Sequence, residues 1–446
     1  MNIETIKLPV KALAKGMVVV KLDRPWLETP FKLQGFRIEK NAELKMLASY
    51  CEYVYVDVER GTAPARGIGE RVLLTVDEDS SDEAAAAQAF LRDGKGRGKR
   101  VSAAARDPRL PAPLTNYAIE QDFDVELPAA MAALAAAKET LRGLVRNLDS
   151  GSADLESVRE AAFELEASIL RNPDPALLIR ALRDDEPFSF RHSVHSAVLA
   201  IALARELGFR RQAIHELTMG VLLADIGKTR LPSALLRAAR RLEAAEAEVL
   251  RQHVDYGVEI ARSFDGLTPG TIGIIAAHHE RFNGSGYPAG LRGGEIPLPA
   301  RIAGLVDSVD ALTSMRVYAE PIAMHEAVQE LYAATTDVFQ RELVEKLIQI
   351  LGTYPTGSWA RLSDNTLAIV VAQNPHRRLL PILIRMNDAG SRGARLGDVV
   401  DLSQTDAPPL AVKQLLDPLE EGRARPAAGA VLDAVIRARA GRTRRE

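Results

Sequence analysis

Residues 278–302 read HHERFNGSGYPAGLRGGEIPLPARI, and this stretch decides the fold. It opens on two adjacent histidines, His278 and His279, and it has three glycines and a proline within residues 284–290. Because Gly and Pro interrupt helices, the sequence predicts that a helix ends close to the histidine pair and that a tight, ordered loop follows. We expect that loop to present the ring of Tyr287 beside the histidines.

The histidines of the chain are concentrated around this stretch. Six of the eight lie in one helical region, with aspartates between them: His192, His195, His215, His253, His278 and His279. Imidazole and carboxylate ligands without thiolate suit Zn²⁺, iron and Mn²⁺. Neighbouring residues on a helix point about 100° apart, so an adjacent pair can flank a metal centre. Any one of these histidines alone would be interpreted as a polar surface residue. His215 has no aspartates near it in the sequence, so we interpret it as a helix-surface or core residue and not as a ligand.

The composition excludes several classes of protein. The 446 residues are 47% hydrophobic, and 57 basic residues nearly balance 60 acidic ones, which argues against a nucleic-acid binder that depends on excess positive charge. A single cysteine, Cys51, excludes a disulfide framework and a thiolate metal cluster. The N-terminus carries no apolar run typical of a signal peptide, and no window is apolar enough for a transmembrane segment. We therefore expect a cytoplasmic protein.

Changes in composition divide the chain into five parts. β-Branched runs such as VVVKL at 18–22 and YVYVDV at 53–58 predict a small β-rich or α/β unit at the N-terminus. An acidic, then basic and Gly-rich, then Pro-rich segment predicts a largely flexible linker. Apolar residues at helical spacing follow, and short apolar runs with Gly and Asn-Pro punctuation come last. The predicted parts are an N-terminal domain (1–62), a linker (63–120), a helical connector (121–185), a mainly helical domain (186–352) and a β-rich extension with a C-terminal tail (353–446).

The segment HHExxxGxGYP, residues 278–288, resembles the signature of the HD-GYP family, bacterial phosphohydrolases that cleave cyclic di-GMP. The resemblance extends over about 187–350 through LLADIGKTRLP, RQHVDYGVEI, LPARIAGLVDSVDAL and SMRVY, all in family order. The first 60 residues are similar to a small domain of unknown function often found ahead of HD-GYP domains. The segment YPTGSWARLSDN is similar to the family's C-terminal extension. The fold implied is an HD-type helical bundle, mainly α.

The resemblance also implies roles for individual residues. Asp225 is similar to the catalytic carboxylate that bridges two divalent ions, and the implied metal ligands are His192, Asp225, His253, His278, His279 and Asp307. Two bridged ions would lower the pKa of a shared water, so that a nucleophile exists near neutral pH. Lys228 and Arg316 resemble the cations that meet a substrate phosphate, with Lys228 also catalytic. Tyr287 is expected either to contact the substrate or a partner, or to fix the loop.

The sequence departs from the family at the dyad after which it is named. The His-Asp pair reads Ala224-Asp225, so the first ion keeps only His192, Asp225 and Asp307. We therefore expect one firm and one weak site for divalent ions such as Fe or Mn. His195, one helical turn from His192, is an alternative ligand, although a polar residue on the helix surface is the interpretation we favour.

Two functions remain open at this point. The first is a metal-dependent cyclic di-GMP phosphodiesterase, because every other ligand is retained. The second is a catalytically weak or inactive receptor or adaptor that binds a nucleotide, or a GGDEF-type partner through the GYP loop. Ala224 supports this second function, as does the altered segment Tyr318-Ala319-Glu320, which adds negative charge where the family tends to have a basic residue.

Overall fold

The computed structural model describes residues 3–22, 36–38, 44, 47–48, 51–57, 70–74, 114–148, 150, 153–182, 188–238, 240, 242–314, 322–334, 338–374, 377, 379–387, 395–404, 410–416 and 428–440. The chain divides into two compact units, Met1–Asp79 and Ser80–Glu446, and each is described by itself. No helix among the described residues combines the length and the hydropathy that crossing a bilayer requires.

The first unit is built on an antiparallel sheet of five strands in the order β3-β2-β4-β1-β5. The strands are β1 (Ile3–Pro9), β2 (Val18–Leu22), β3 (Phe36–Arg37), β4 (Tyr53–Asp57) and β5 (Glu70–Leu74). Alternation along β4 buries Val54 and Val56, which join Leu8 and Val19 in a small core. Both strands predicted from β-branched runs are present. The range 63–120, predicted as a largely flexible linker, contains β5. This strand forms because its residues pair with β1.

The second unit is mainly helical. Its helices are α1 (Phe123–Asn147), α2 (Leu155–Arg171), α3 (Pro173–Ala181), α4 (Phe188–Glu206), α5 (Arg211–Leu223), α6 (Ser233–Leu236), α7 (Ala244–Arg251), α8 (His253–Ser263), α9 (Pro269–Ala277), α10 (Leu298–Thr313), α11 (Met324–Ala334), α12 (Arg341–Leu351) and α13 (Ala428–Ala440). α4 is central: it packs against α5, α10, α2 and α12, and its residues 194–204 are buried on all sides. A helix that is apolar all round belongs in a core, and here it carries the first predicted metal ligand at its N-terminal end.

A second antiparallel sheet follows the helices. Its strands are β6 (Trp359–Leu362), β7 (Leu367–Ala372), β8 (Ile382–Asn387), β9 (Arg395–Asp401) and β10 (Val412–Leu416), in the order β10-β6-β7-β8-β9. Ile369 and Val371 of the sheet share a core with Leu178 of α3 and with Val431 of α13. The predicted fold class, a mainly helical bundle with small β units at both ends, is therefore confirmed.

Candidate metal centre

The side chains predicted as metal ligands come from five elements of the bundle. His192 lies in α4, Asp225 in the turn that follows α5, His253 at the start of α8, His278 and His279 at the end of α9, and Asp307 in α10. A 3₁₀ turn, Ile226–Arg230, follows Asp225 and packs closely on α8. Gly227 permits that approach: a Cβ atom built on it would lie 2.0 Å from the carbonyl oxygen of His253.

Two of the histidines are oriented by backbone carbonyl groups. His253 Nδ1 lies 2.7 Å from the carbonyl oxygen of Leu250, and His278 Nδ1 lies 2.8 Å from that of Ile275. Because Nδ1–H donates in both bonds, each ring keeps its Nε2 lone pair free for a metal. The two Nε2 atoms lie 3.6 and 3.9 Å from the same oxygen, Oδ1 of Asp225.

These converging atoms lack ordinary partners. Asp225 Oδ1, His253 Nε2 and His278 Nε2 are buried and have no hydrogen-bond partner among the described residues. With His279 added, one ligand atom from each of the four side chains lies within 4.8 Å of every other. Leaving buried polar atoms unpaired costs about 1–3 kcal/mol each, so their grouping around one point indicates an ion. Burial lowers the pKa of His278 to about 4 and also lowers that of His253, which keeps both in the neutral form that binds metal.

His192 is held from both sides by carboxylates of α10. Its Nε2 lies 2.8 Å from Asp307 Oδ1, and its Nδ1 lies 2.8 Å from Asp310 Oδ2. Burial opposes protonation, but these two hydrogen bonds raise the pKa of His192 to about 10. Asp310 is anchored in turn, since it accepts from Arg180 Nη2 at 3.0 Å and from Ser314 Oγ at 3.0 Å.

A small cavity connects His192 with Asp225. It is lined by His192, Ser193, Ser196, Val221, Ala224, Asp225, His278, Ala303 and Asp307. The three residues predicted to hold the first ion therefore face one space, and Ala224 forms part of its wall where the family has a histidine.

Lys228 lies beside the carboxylate at the centre. Its Nζ donates to Asp225 Oδ2 at 2.5 Å. Burial would raise the pKa of Asp225, but Lys228 and His253 hold it below its ordinary range. The carboxylate is therefore ionised, with one oxygen on the lysine and the other facing the histidines.

Glu280 holds the loop that follows the histidine pair. Its buried carboxylate accepts from the backbone N–H groups of Ala289, Gly290 and Leu291 at 2.7, 3.1 and 3.0 Å. The Tyr287 ring consequently stacks on the His279 ring, with centroids 4.7 Å apart and planes inclined by 29°. This is the position that the sequence predicts for Tyr287.

The structure brings together all six predicted metal ligands, with Lys228 and Tyr287 beside them. Arg316 and the segment Tyr318-Ala319-Glu320 lie outside the described residues. The expectation of a surface position for His195 is wrong: its side chain is buried, with Nδ1 3.8 Å from Asp310 Oδ1, and it is not in the Asp225 cluster. The reason is that α4 is enclosed by other helices along this face.

Sequence reasoning missed Asp310 and its partner Arg180. Asp310 follows Asp307 by three residues on a helix, so the spacing alone places both carboxylates on one face toward His192. No comparable signal exists for Arg180, which is 130 residues away in α3.

Comparison with known proteins identifies two families along the chain. Residues 176–343 match the family described as HD domain, and residues 5–157 match a domain of unknown function, DUF3391. The first match overlaps the predicted helical domain (186–352), and the second begins in the predicted N-terminal domain (1–62) and extends through the range predicted as a linker into the predicted connector.

Three known phosphodiesterases illustrate the sequence similarity of this chain to other proteins. A cyclic di-GMP phosphodiesterase of Pseudomonas aeruginosa is 29% identical over 406 residues, which is 90% of each chain. The cyclic di-GMP phosphodiesterase response regulator RpfG of Xanthomonas campestris is 32% identical over 49% of this chain and 62% of its own. The 3′3′-cGAMP-specific phosphodiesterase 2 of Vibrio cholerae is 39% identical over 28% of this chain and 24% of its own.

Replacing Gly227 by alanine tests the close packing behind Asp225. We expect Gly227→Ala to lower both the melting temperature and the affinity for Mn²⁺, because the new Cβ overlaps the His253 carbonyl and the Gly257 amide and must displace α8. The measurements are thermal unfolding and calorimetric metal titration. Gly143→Ala is the matched control, since nothing lies within 4 Å of its Cβ, and it should stabilise α1 by up to about 1 kcal/mol. Equal behaviour of the two variants would contradict the packing argument.

Removing Asp310 tests the anchor behind His192. Asp310→Ala leaves the guanidinium of Arg180, only 4% exposed, without its buried counter-charge. We expect the free energy of unfolding, measured in urea, to fall by about 3–5 kcal/mol. The control Glu139→Ala breaks exposed pairs with Arg142 and Arg146 and should cost no more than about 1 kcal/mol. A loss of that smaller size for Asp310→Ala would show that Arg180 finds another partner.

Proposed function

This chain is an HD-domain protein with the HD-GYP signature and a DUF3391 domain ahead of the HD domain, and we propose that it hydrolyses cyclic di-GMP with divalent metal ions. The observation that carries this proposal is the convergence of Asp225 Oδ1, His253 Nε2 and His278 Nε2, three buried atoms that have no hydrogen-bond partner in the described part of the chain. Cyclic di-GMP is named as the substrate because two relatives, one of them matched over 90% of both chains, are cyclic di-GMP phosphodiesterases.

The ligands divide into a firm site and a weak one. Asp225, His253, His278 and His279 offer four donors for the firm site. His192 and Asp307, with Asp225 shared between the sites, offer three donors for the weak site once an ion displaces the proton between His192 Nε2 and Asp307. Nitrogen and oxygen donors without sulfur suit Fe²⁺ and Mn²⁺. When bound, such ions supply a nucleophile from water at neutral pH and neutralise charge on the phosphodiester.

The protein contributes positive charge and orientation around that centre. Lys228 is partly exposed and already touches Asp225, so in our proposal it stabilises the charge that develops on a non-bridging phosphate oxygen. Arg316 is proposed as the second cation on the phosphate. Tyr287 keeps the His279 ring in place by stacking on it and offers its outer edge to the substrate.

A receptor or adaptor is the second candidate, and Ala224 is the observation that favours it. The missing histidine leaves the weak site with one imidazole, and loss of one metal-supporting residue typically costs 10–100-fold in affinity or activity. In this case the same pocket binds cyclic di-GMP without cleaving it, and the GYP loop contacts a GGDEF-type partner.

A hydrolysis assay separates the two functions. With Mn²⁺ or Fe²⁺ supplied, we expect turnover of cyclic di-GMP that is lost in Asp225→Ala, because that change removes a ligand from both ions. Ala224→His should raise turnover about tenfold or more, because it restores a ligand. Asp433→Ala, on the exposed face of α13, should leave turnover unchanged.

The contrary result is equally clear. If neither the natural chain nor Ala224→His cleaves cyclic di-GMP, while both bind it in equilibrium dialysis, the receptor is the correct function. Chromatography of the products also shows whether a linear dinucleotide or GMP is formed.

A further inference from the structure

The cavity beside Ala224 is lined in part by two serines that the proposed function leaves unused. Two serines of α4, Ser193 and Ser196, line it together with His192 and Asp307. Ser196 lies four residues after His192, so both side chains project from the same face of the helix. The space beside position 224 is thus bordered by serine side chains as well as by apolar ones.

Ser196 has a buried hydroxyl with nothing to bind. The residue is 2% exposed, and its Oγ has no hydrogen-bond partner among the described residues. Other helical hydroxyls in the bundle donate to the carbonyl four residues earlier, as Thr218 does to Ile214 at 2.8 Å and Ser308 does to Gly304 at 2.9 Å. Because an unpaired buried hydroxyl costs about 1–3 kcal/mol, the free Oγ beside a cavity indicates a bound group.

We propose that Ser196 holds a water molecule in this cavity and that this water occupies the coordination position left by the missing histidine. The inference rests on the proposed metal centre, whose weak site consists of His192, Asp225 and Asp307. A buried water needs two to four polar partners, and the serine hydroxyl, the ion and the Asp307 carboxylate supply them.

This arrangement determines which ion the weak site prefers. Its donors are one imidazole, two carboxylates and water, and oxygen-rich sets of this kind suit Mn²⁺. A second imidazole at position 224 would shift the preference toward metals that favour nitrogen donors, such as Zn²⁺. Ser196 therefore acts as a positioning residue for the metal and has no contact with the substrate.

Calorimetric titration of chelator-treated protein with MnCl₂ tests the proposal without any assay of turnover. We expect two Mn²⁺ sites in the natural chain. Ser196→Ala should weaken the weaker site by about 10–100-fold and leave the tighter site unchanged. The matched control is Ser168→Ala in α2, which removes another buried hydroxyl that has no hydrogen-bond partner within the described ranges.

A double-mutant cycle makes the test specific. In an Ala224→His background, Ser196→Ala should change the weaker dissociation constant less than twofold, because the imidazole takes the place of the water. Ala224→His alone should strengthen the weaker site and raise its ratio of Zn²⁺ to Mn²⁺ affinity. Apo Ser196→Ala should melt at or above the temperature of the natural protein, since the hydroxyl has no partner to lose, and only its stabilisation by MnCl₂ should be reduced.

The proposal is overturned if Ser196→Ala binds Mn²⁺ as Ser168→Ala does. It is also overturned if Ser196→Ala lowers the Mn²⁺ affinity of the weaker site by the same factor with and without histidine at position 224. A chain that shows this metal-binding pattern but does not cleave cyclic di-GMP would disprove the proposed hydrolysis and leave the role of Ser196 intact.

Discussion

The site depends on one constraint: imidazole rings buried in a helical bundle must use both nitrogens. His253 and His278 satisfy Nδ1 on backbone carbonyl groups three residues earlier in the chain, at 2.7 and 2.8 Å. That choice leaves Nε2 as an acceptor that faces Asp225 in each case. Two acceptors and a carboxylate cannot satisfy one another by hydrogen bonding, and this arrangement suits a cation between them.

Glycine makes the required proximity possible. A Cβ on Gly227 would overlap the backbone of α8, and a Cβ on Gly304 would lie 2.6 Å from the carbonyl oxygen of His278. Both glycines therefore allow one backbone to lie directly against another beside a proposed ligand. Gly286 plays the same part in the GYP loop, where a Cβ would lie 2.3 Å from the Arg281 amide. The sequence shows only that these glycines lie in a loop or a helix, and it does not predict the backbone that each one contacts.

The spacing of apolar residues predicted the helices and strands better than it predicted which distant residues they contact. The run VVVKL became β2, and the helical spacing of residues 126–148 became most of α1, because alternation and periodicity are local properties. The cap of α3 shows the same limit: Asn172 accepts from the Asp174 amide and also donates to the distant carbonyl of Gln121. β5 was missed for a similar reason, since its pairing with β1 joins residues about 70 apart.

The candidate site divides in the same way. Its ligands were predictable because a distinctive order of histidines, aspartates and glycines is written in the sequence. The hydrogen bonds that aim them were not, because Arg180 and Asp310 meet only after the bundle forms. The Ser196 hydroxyl, which has no partner among the residues that the structure describes, was equally invisible, since a helical serine can instead bond a carbonyl of its own helix.

Charge explains why a chain with Ala224 in place of the histidine of the His-Asp dyad can retain the rest of the site. A neutral imidazole contributes a lone pair but no net charge, whereas Asp225 and Asp307 supply the negative charge that attracts a divalent cation. Replacing the histidine by Ala224 therefore removes one donor without altering the electrostatic balance of the ligand set. Had an aspartate been lost instead, a dication would face uncompensated charge in a buried setting, which costs far more than a missing donor. The substitution thus removes one ligand atom from the proposed site but keeps the negative charge that attracts a cation.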